Sequence, residues 1–297
     1  MLDVLLLLMV TIWGSNFSLI KVALRDFPEL PFNGLRLLIA AALLGALVWL
    51  DARRRRAAGR PAVPAFTATE WRRIVLLAIV GHLVYQLCFL AGVARTSVAN
   101  SSLIFGCTPV MVAFLSSLAG HERIRGAQWA GAALSLTGLY VLVGHRAAVG
   151  TSTLAGDLLM FVAMTCWSLY SVLARPLLAR HAPLAVTAWS MGLGAVLYGV
   201  AATPAARATD WAAISALSWL LMVISAVFAI AVAFLIWYTG VQRIGSSRTA
   251  IYSNLTPIVA MIVAAIWIGE PITTTQVGGA TAILAGVVVT RRAPRDA

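Results

Sequence analysis

Ten apolar windows of roughly 20 residues, set apart by short polar links, constrain this chain more than any other feature. They run at about 2–20, 32–50, 74–94, 98–118, 126–143, 156–174, 184–202, 213–238, 249–269 and 272–290. A helix of that length crosses ~30 Å of hydrocarbon. Composition agrees, because 61% of the residues are hydrophobic and only 11% charged, too little charge to cover a soluble surface. The windows are continuously apolar and do not alternate at period two, which argues against a β-barrel. The expected fold is an all-α integral membrane protein with ten transmembrane helices. No basic region precedes the first window and no small-residue cleavage site comes soon after it, so it is expected to be retained.

A formal net charge of +12 would suit nucleic acid if the charge formed a patch. It tracks topology instead. With the N-terminus inside, inner loops and tail hold 16 of the 22 Lys and Arg residues, among them Arg53, Arg54, Arg55 and Arg56. The outer loops hold Lys21, Arg25, Arg95, Arg146 and Arg207. This bias orients both ends of the chain to the cytoplasm and leaves nucleic acid no role. Cys88, Cys107 and Cys166 lie singly in windows, as small buried hydrophobes rather than a disulfide or metal framework.

Residues 71–141 align with 219–289 without a gap, at a constant offset of 148, and 18 of the 71 positions are identical. The matches include Gly92/Gly240, Arg95/Arg243, Thr108-Pro109/Thr256-Pro257, Glu122/Glu270 and Gln128/Gln276. Trp13 meets Trp167 at an offset of 154, the extra six residues falling in a longer basic loop. The chain thus reads as two five-span repeats, 1–146 and 147–297. An odd number of crossings inserts the second copy upside down, and inverted repeats recur in transporters. Pro109 and Pro257 remove a backbone donor early in a span and are expected to act as kinks or hinges. Glu122 and Glu270 fall at tight links, where a carboxylate suits a helix N-terminus.

Thr-Pro, an apolar run, Glu-x-Ile-x-x-x-Gln-x-x-Gly and a later Gly, present twice, resemble the EamA domain pair of the drug/metabolite transporter superfamily. "WGSNFSLIKVAL" (13–24) and "NGLRLLIAA" (33–41) resemble that family's first two helices. The resemblance implies a ten-helix bacterial inner-membrane carrier of amino acids, including aromatic ones, of other metabolites or of drugs, often exporting. It implies too that the first four helices of each half line the cavity. The second half departs at Ser168-Leu169-Tyr170, where the first has Gly14-Ser15-Asn16.

No Asp or Glu lies at mid-depth in any window, which argues against a carboxylate-coupled carrier of lipophilic cations and against a metal cage. His82, with Tyr85 and Gln86 close by, does lie at depth; it is either a substrate or proton site or a neutral histidine bonded to a facing helix. Arg36 either meets a substrate carboxylate or snorkels outward. Lys21, the sole lysine, snorkels more readily. Trp13 with Asn16, Trp167 with Tyr170, Trp237, and Tyr252 with Asn254 are candidate cavity residues that packing also explains. No catalytic motif, cofactor site or phosphate loop appears. The expectation is therefore a non-enzymatic secondary transporter that exports amino acids or related metabolites by alternating access, with a passive channel or drug efflux as rivals. Its partners are the bilayer and a small solute, and homodimerisation is left open.

Overall fold

The computed structural model describes residues 2–59, 65–120, 130, 133–134, 137 and 153–292. Among these all regular structure is helical. Eight helices are long and apolar enough to cross a membrane: α1 (Leu2–Ala23), α2 (Glu29–Ala57), α3 (Ala68–Arg95), α4 (Val98–Leu118), α5 (Leu154–Leu178), α6 (Pro183–Arg207), α7 (Ala216–Ile244) and α8 (Ser246–Trp267). A further helix, α9 (Thr274–Arg292), has 19 residues with polar side chains at both ends. The chain is an integral, multi-pass membrane protein. The expected fifth span, 126–143, lies outside the described residues apart from a few isolated positions, as do Glu122 and Gln128.

Side-chain caps set where the helices begin. Thr67 and Glu70 form a reciprocal capping box for α3, and Ser97, Thr153 and Ser215 accept from the third residue beyond them to open α4, α5 and α7. Each cap satisfies a backbone donor that the helix itself cannot. Gly245 ends α7 at φ 86, a left-handed turn that lets α8 start one residue later.

α1 packs on α7 and α8, α5 packs on α3 and α4, and α2 lies along α6. The second repeat's first helix therefore seats on the first repeat's later helices, and the reverse holds for α1. Close approach needs small residues: a Cβ on Gly14 of α1 would stand 2.6 Å from Val259 Cβ on α8. Large apolar side chains such as Ile266 and Val200 point outward, 82% and 71% exposed, as lipid-facing residues do.

Beside a short break at Ala174 in α5, four helices are irregular in places that the repeat matches. α3 contains a π-helical stretch at Ile79–Val84, and α7 one at Ser225–Val232. α4 stops at Phe105 and restarts at Thr108. α8 passes through a 3-10 turn, Ser253–Leu255, before restarting at Thr256. Pro109 and Pro257 each sit in the first turn of the restarted segment. There a missing N–H costs no hydrogen bond, since first-turn donors have no intrahelical partner.

Candidate functional site

These irregular stretches surround a cavity between the helices. Trp13, Asn16 and Phe17 come from α1, Arg36 from α2, Tyr85, Gln86 and Phe89 from α3, and Phe105 and Thr108 from α4. The second repeat adds Trp167 from α5, Ala229, Ile230 and Phe234 from α7, and Ser253 and Thr256 from α8. A π-helical stretch widens the turn by a residue and re-aims the side chains beyond it. Tyr85 and Gln86 come directly after the first such stretch, and Ala229 and Ile230 lie within the second.

At the α4 break Thr108 Oγ1 donates to the Phe105 carbonyl at 2.6 Å. Its counterpart on α8, Thr256, has a buried hydroxyl with no partner. Both restarted segments thus bring a helix N-terminus to the cavity wall, where unpaired N–H groups favour negative charge.

Arg36 supplies the wall's full positive charge. It is 2% exposed, so it does not snorkel to the outer surface. Its Nη1 donates to Asn33 Oδ1 at 2.9 Å, its guanidinium carbon lies 5.2 Å from the Phe32 ring centre, and its Nε has no partner. Asn16 Oδ1 accepts from Ser225 Oγ at 2.5 Å, tying α1 to α7. Gln86 is buried, and its Oε1 has no partner. The apolar wall is aromatic. Trp13 donates from Nε1 to the Ala229 carbonyl at 2.9 Å and meets Trp167 edge-on at 5.3 Å, and Trp167 meets Phe234 edge-on at 4.9 Å.

Of the eleven residues singled out from sequence, Trp13, Asn16, Arg36, Tyr85, Gln86 and Trp167 line this cavity. His82 and Tyr170 stand behind it. The His82 ring stacks on Phe234 at 5.6 Å and meets Tyr170 edge-on at 5.0 Å. His82 Nε2 lies 3.3 Å from Ser190 Oγ, which donates its own proton to the Val186 carbonyl. Nε2 is therefore the protonated nitrogen and donates to Ser190, leaving Nδ1 buried without a partner. Trp237 is buried one turn beyond Phe234 and donates to Ser171 Oγ at 3.0 Å. Tyr252 hydrogen-bonds Asp3, and Asn254 is buried within the 3-10 turn of α8 without lining the cavity.

Two charged groups differ from the sequence reading. Lys21 Nζ donates to the carbonyls of Thr96 at 2.6 Å and Val93 at 3.1 Å rather than turning outward. Glu270 does not cap the next helix in the chain, since Thr273 and Gln276 cap α9 reciprocally. Its two oxygens accept from Val98 N–H at 3.0 and 3.1 Å, capping α4 of the first repeat. Sequence reasoning passed over Phe17, Phe105, Thr108, Ile230, Phe234, Ser253 and Thr256. The offset of 148 was the signal: it carries His82 to Ile230, Gln86 to Phe234 and Phe105 to Ser253.

A bundle of membrane-crossing helices with interrupted segments around a cavity between them defines a multi-pass membrane transporter. Comparison with known proteins makes that specific. The EamA-like transporter family model matches residues 1–144 and 154–292, and the chain belongs to that family; it is a transporter and not an enzyme. It is similar to the Uncharacterized transporter YyaM of Bacillus subtilis, 28% identical over 93% of this chain and 88% of that one. It is also similar to the Probable terminal-alkyne amino-acid exporter of Streptantibioticus cattleyicolor, 29% identical over 97% and 92%. The Probable amino-acid metabolite efflux pump of Escherichia coli is 27% identical over 96% and 93%. One solved crystal structure superposes over 99% of both chains with a TM-score of 0.71 at 19% identity, a likeness of fold alone.

Proposed function

We propose that this protein is a secondary carrier that exports amino acids or related small metabolites across a bacterial inner membrane, with both termini cytoplasmic. Its two repeats, 1–146 and 147–297, are read as five-span units of opposite orientation that expose the cavity to each side in turn. One observation carries the reading: segments paired by the repeat, interrupted at the same places, meet around one cavity. Interrupted helices supply unpaired backbone groups where a solute would sit, and matched breaks supply matched points of bending. The cavity's aromatic wall suits the apolar side chain of an aromatic amino acid. The names of the amino-acid exporter and efflux relatives support the same class of cargo.

Counterflow in proteoliposomes tests the proposal. Preloading with unlabelled L-phenylalanine should accelerate uptake of labelled L-phenylalanine or of a related carboxylated solute. A flux indifferent to preloading identifies a channel and overturns the carrier.

A further inference from the structure

Resting on that reading, we propose that the cavity selects solutes of net negative charge: an aromatic or otherwise apolar body bearing one carboxylate and no free ammonium, such as an N-acylated amino acid. Charge and hydrogen bonds are out of balance around Arg36.

Among the described residues, Arg36 is held by neutral groups, Asn33 Oδ1 and the Phe32 ring. The ionisable groups that act on it are the Tyr85 and Tyr198 hydroxyls. The nearer acid on its own helix, Glu29, lies two turns away and is engaged by Arg95 at 2.9 Å. Among the described residues lining the cavity there is no Asp or Glu. A guanidinium buried at membrane depth without a counter-ion is costly. A bound carboxylate supplies that counter-ion, and its planar pair of oxygens fits the guanidinium fork.

The same inventory gives an ammonium group little. It would need acceptors for three N–H bonds and a negative charge nearby. Asn16 Oδ1 already accepts from Ser225, and Thr108 and Ser253 donate to carbonyls of their own helices, so what they still offer is neutral lone pairs without charge. Among the described residues of the wall, Gln86 Oε1 and the Thr256 hydroxyl are buried with no partner, and no acceptor there carries a negative charge. The tryptophan rings are covered by other rings, Trp13 by Trp167, Phe234 and Trp237. In an α-amino acid the ammonium sits about 5 Å from whatever cation holds the carboxylate. That repulsion, in a site of low polarity, costs on the order of tenfold in affinity or more. An amide N–H in the same place needs one acceptor, which Gln86 provides.

The charge of the cargo fixes what drives it. A monoanion leaving a cell that is negative inside moves down the membrane potential, and each ~100 mV holds roughly a fiftyfold outward gradient. Export would then need no coupling ion, consistent with a cavity wall whose described residues carry no carboxylate.

The test uses full-length protein in liposomes and three probes sharing one ring: N-acetyl-L-phenylalanine (anion), L-phenylalanine (zwitterion) and phenethylamine (cation). At neutral pH, counterflow of the N-acetyl compound should exceed that of phenylalanine by roughly tenfold or more, with phenethylamine inert. An interior-negative potassium diffusion potential should speed efflux of the N-acetyl compound and leave phenylalanine efflux unchanged. Arg36→Gln should erase the anion preference, and Arg36→Lys should keep it in weaker form. Phenylalanine matching or exceeding its N-acetyl form in the wild type overturns the inference while leaving the carrier standing. So does an anion preference that survives Arg36→Gln. Where Arg36→Gln fails to fold, potential-dependence in the wild type decides alone. Absence of counterflow for all three probes overturns the carrier reading and this inference with it.

Discussion

The two walls of the cavity descend from one repeated pattern and have diverged in opposite directions. Where the first repeat has Gln86, the second has Phe234; His82 answers to Ile230, Phe89 to Trp237 and Arg36 to Ser190. The first repeat thus supplies the fixed charge and the free amide oxygen beside its aromatic rings, whereas the lining residues of the second are apolar except for the hydroxyls of Ser253 and Thr256. At other pairs the copies agree. Trp13 and Trp167 both line the cavity, as do Thr108 and Thr256. The shared residues build the chamber and its breaks; the differing ones make it amphipathic. A symmetric pair of walls would hold a solute equally well in two opposed poses, whereas these walls hold an amphipath in one.

The strongest way to break the comparison lies at Gly81 and its counterpart Ala229. A Cβ at Gly81 would fall 2.1 Å from the Tyr170 ring, so α3 and α5 cannot keep their contact in Gly81→Ala. We expect a loss of about 3 kcal/mol or more and little monodisperse protein in detergent. Ala229→Gly, which moves the second repeat toward the first, should cost only about 1 kcal/mol and stay monodisperse. Equal behaviour of the two variants would show that the close approach belongs to neither repeat in particular.

Next in size is a change at Gln86. Gln86→Leu keeps the bulk and removes the uncommitted oxygen, so affinity for N-acetyl-L-phenylalanine should fall about tenfold, near 1.4 kcal/mol. Phe234→Leu at the paired position should weaken phenylalanine and its N-acetyl form alike, leaving their ratio unchanged. Transport assays that find the ratio moved by Phe234→Leu and not by Gln86→Leu would reverse the assignment of the walls. Smaller still is Ser190→Ala, which strips His82 Nε2 of its acceptor. It should lower stability by about 1 kcal/mol, or roughly 2–4 °C in Tm for a chain of this size, with the anion preference intact because Ser190 does not reach the cavity.

These pairs also mark how far the sequence could be read. Hydropathy alone defines crossings, because nothing but length and apolarity is needed to span lipid. The repeat emerges from identities that stay in register. Depth and side-chain type were enough to bring out Trp13, Arg36 and Gln86. They were not enough to separate Phe234 from Trp237, one turn apart on one helix. That choice depends on the π-helical stretch at Ser225–Val232, which shifts the phase of every later residue on the helix. Tyr252 fails for a similar reason: the 3-10 turn directly after it brings Ser253 to the cavity, with Thr256 beyond, while Tyr252 reaches Asp3. Periodicity assumes an unbroken helix, and this site is made where the helices are broken.

The smallest expected effect concerns the place where a carboxylate of the second repeat caps a helix of the first. Burial pushes the Glu270 carboxyl above its ordinary value of 4.5, outweighing the Val98 N–H bonds and the pull of Lys21. A carboxyl whose value is raised in the folded contact binds its proton more tightly there than when free. The contact is therefore strongest below the ordinary value and weakens as pH rises through the raised one. This is the reverse of the usual expectation for a capping carboxylate, whose charge would make the contact best near neutrality. Glu270→Gln keeps an oxygen for Val98 N–H and cannot ionise, so it imitates the protonated form at every pH. Its Tm should match the wild type in acid and exceed it by about 1–2 °C at neutrality, since a partly exposed group is worth under ~1 kcal/mol. A variant less stable than the wild type at neutrality would mean that attraction to the helix end and to Lys21 outweighs burial. The contact between the repeats would then be held by charge, which is the arrangement Arg36 has at the cavity only when a solute brings the partner.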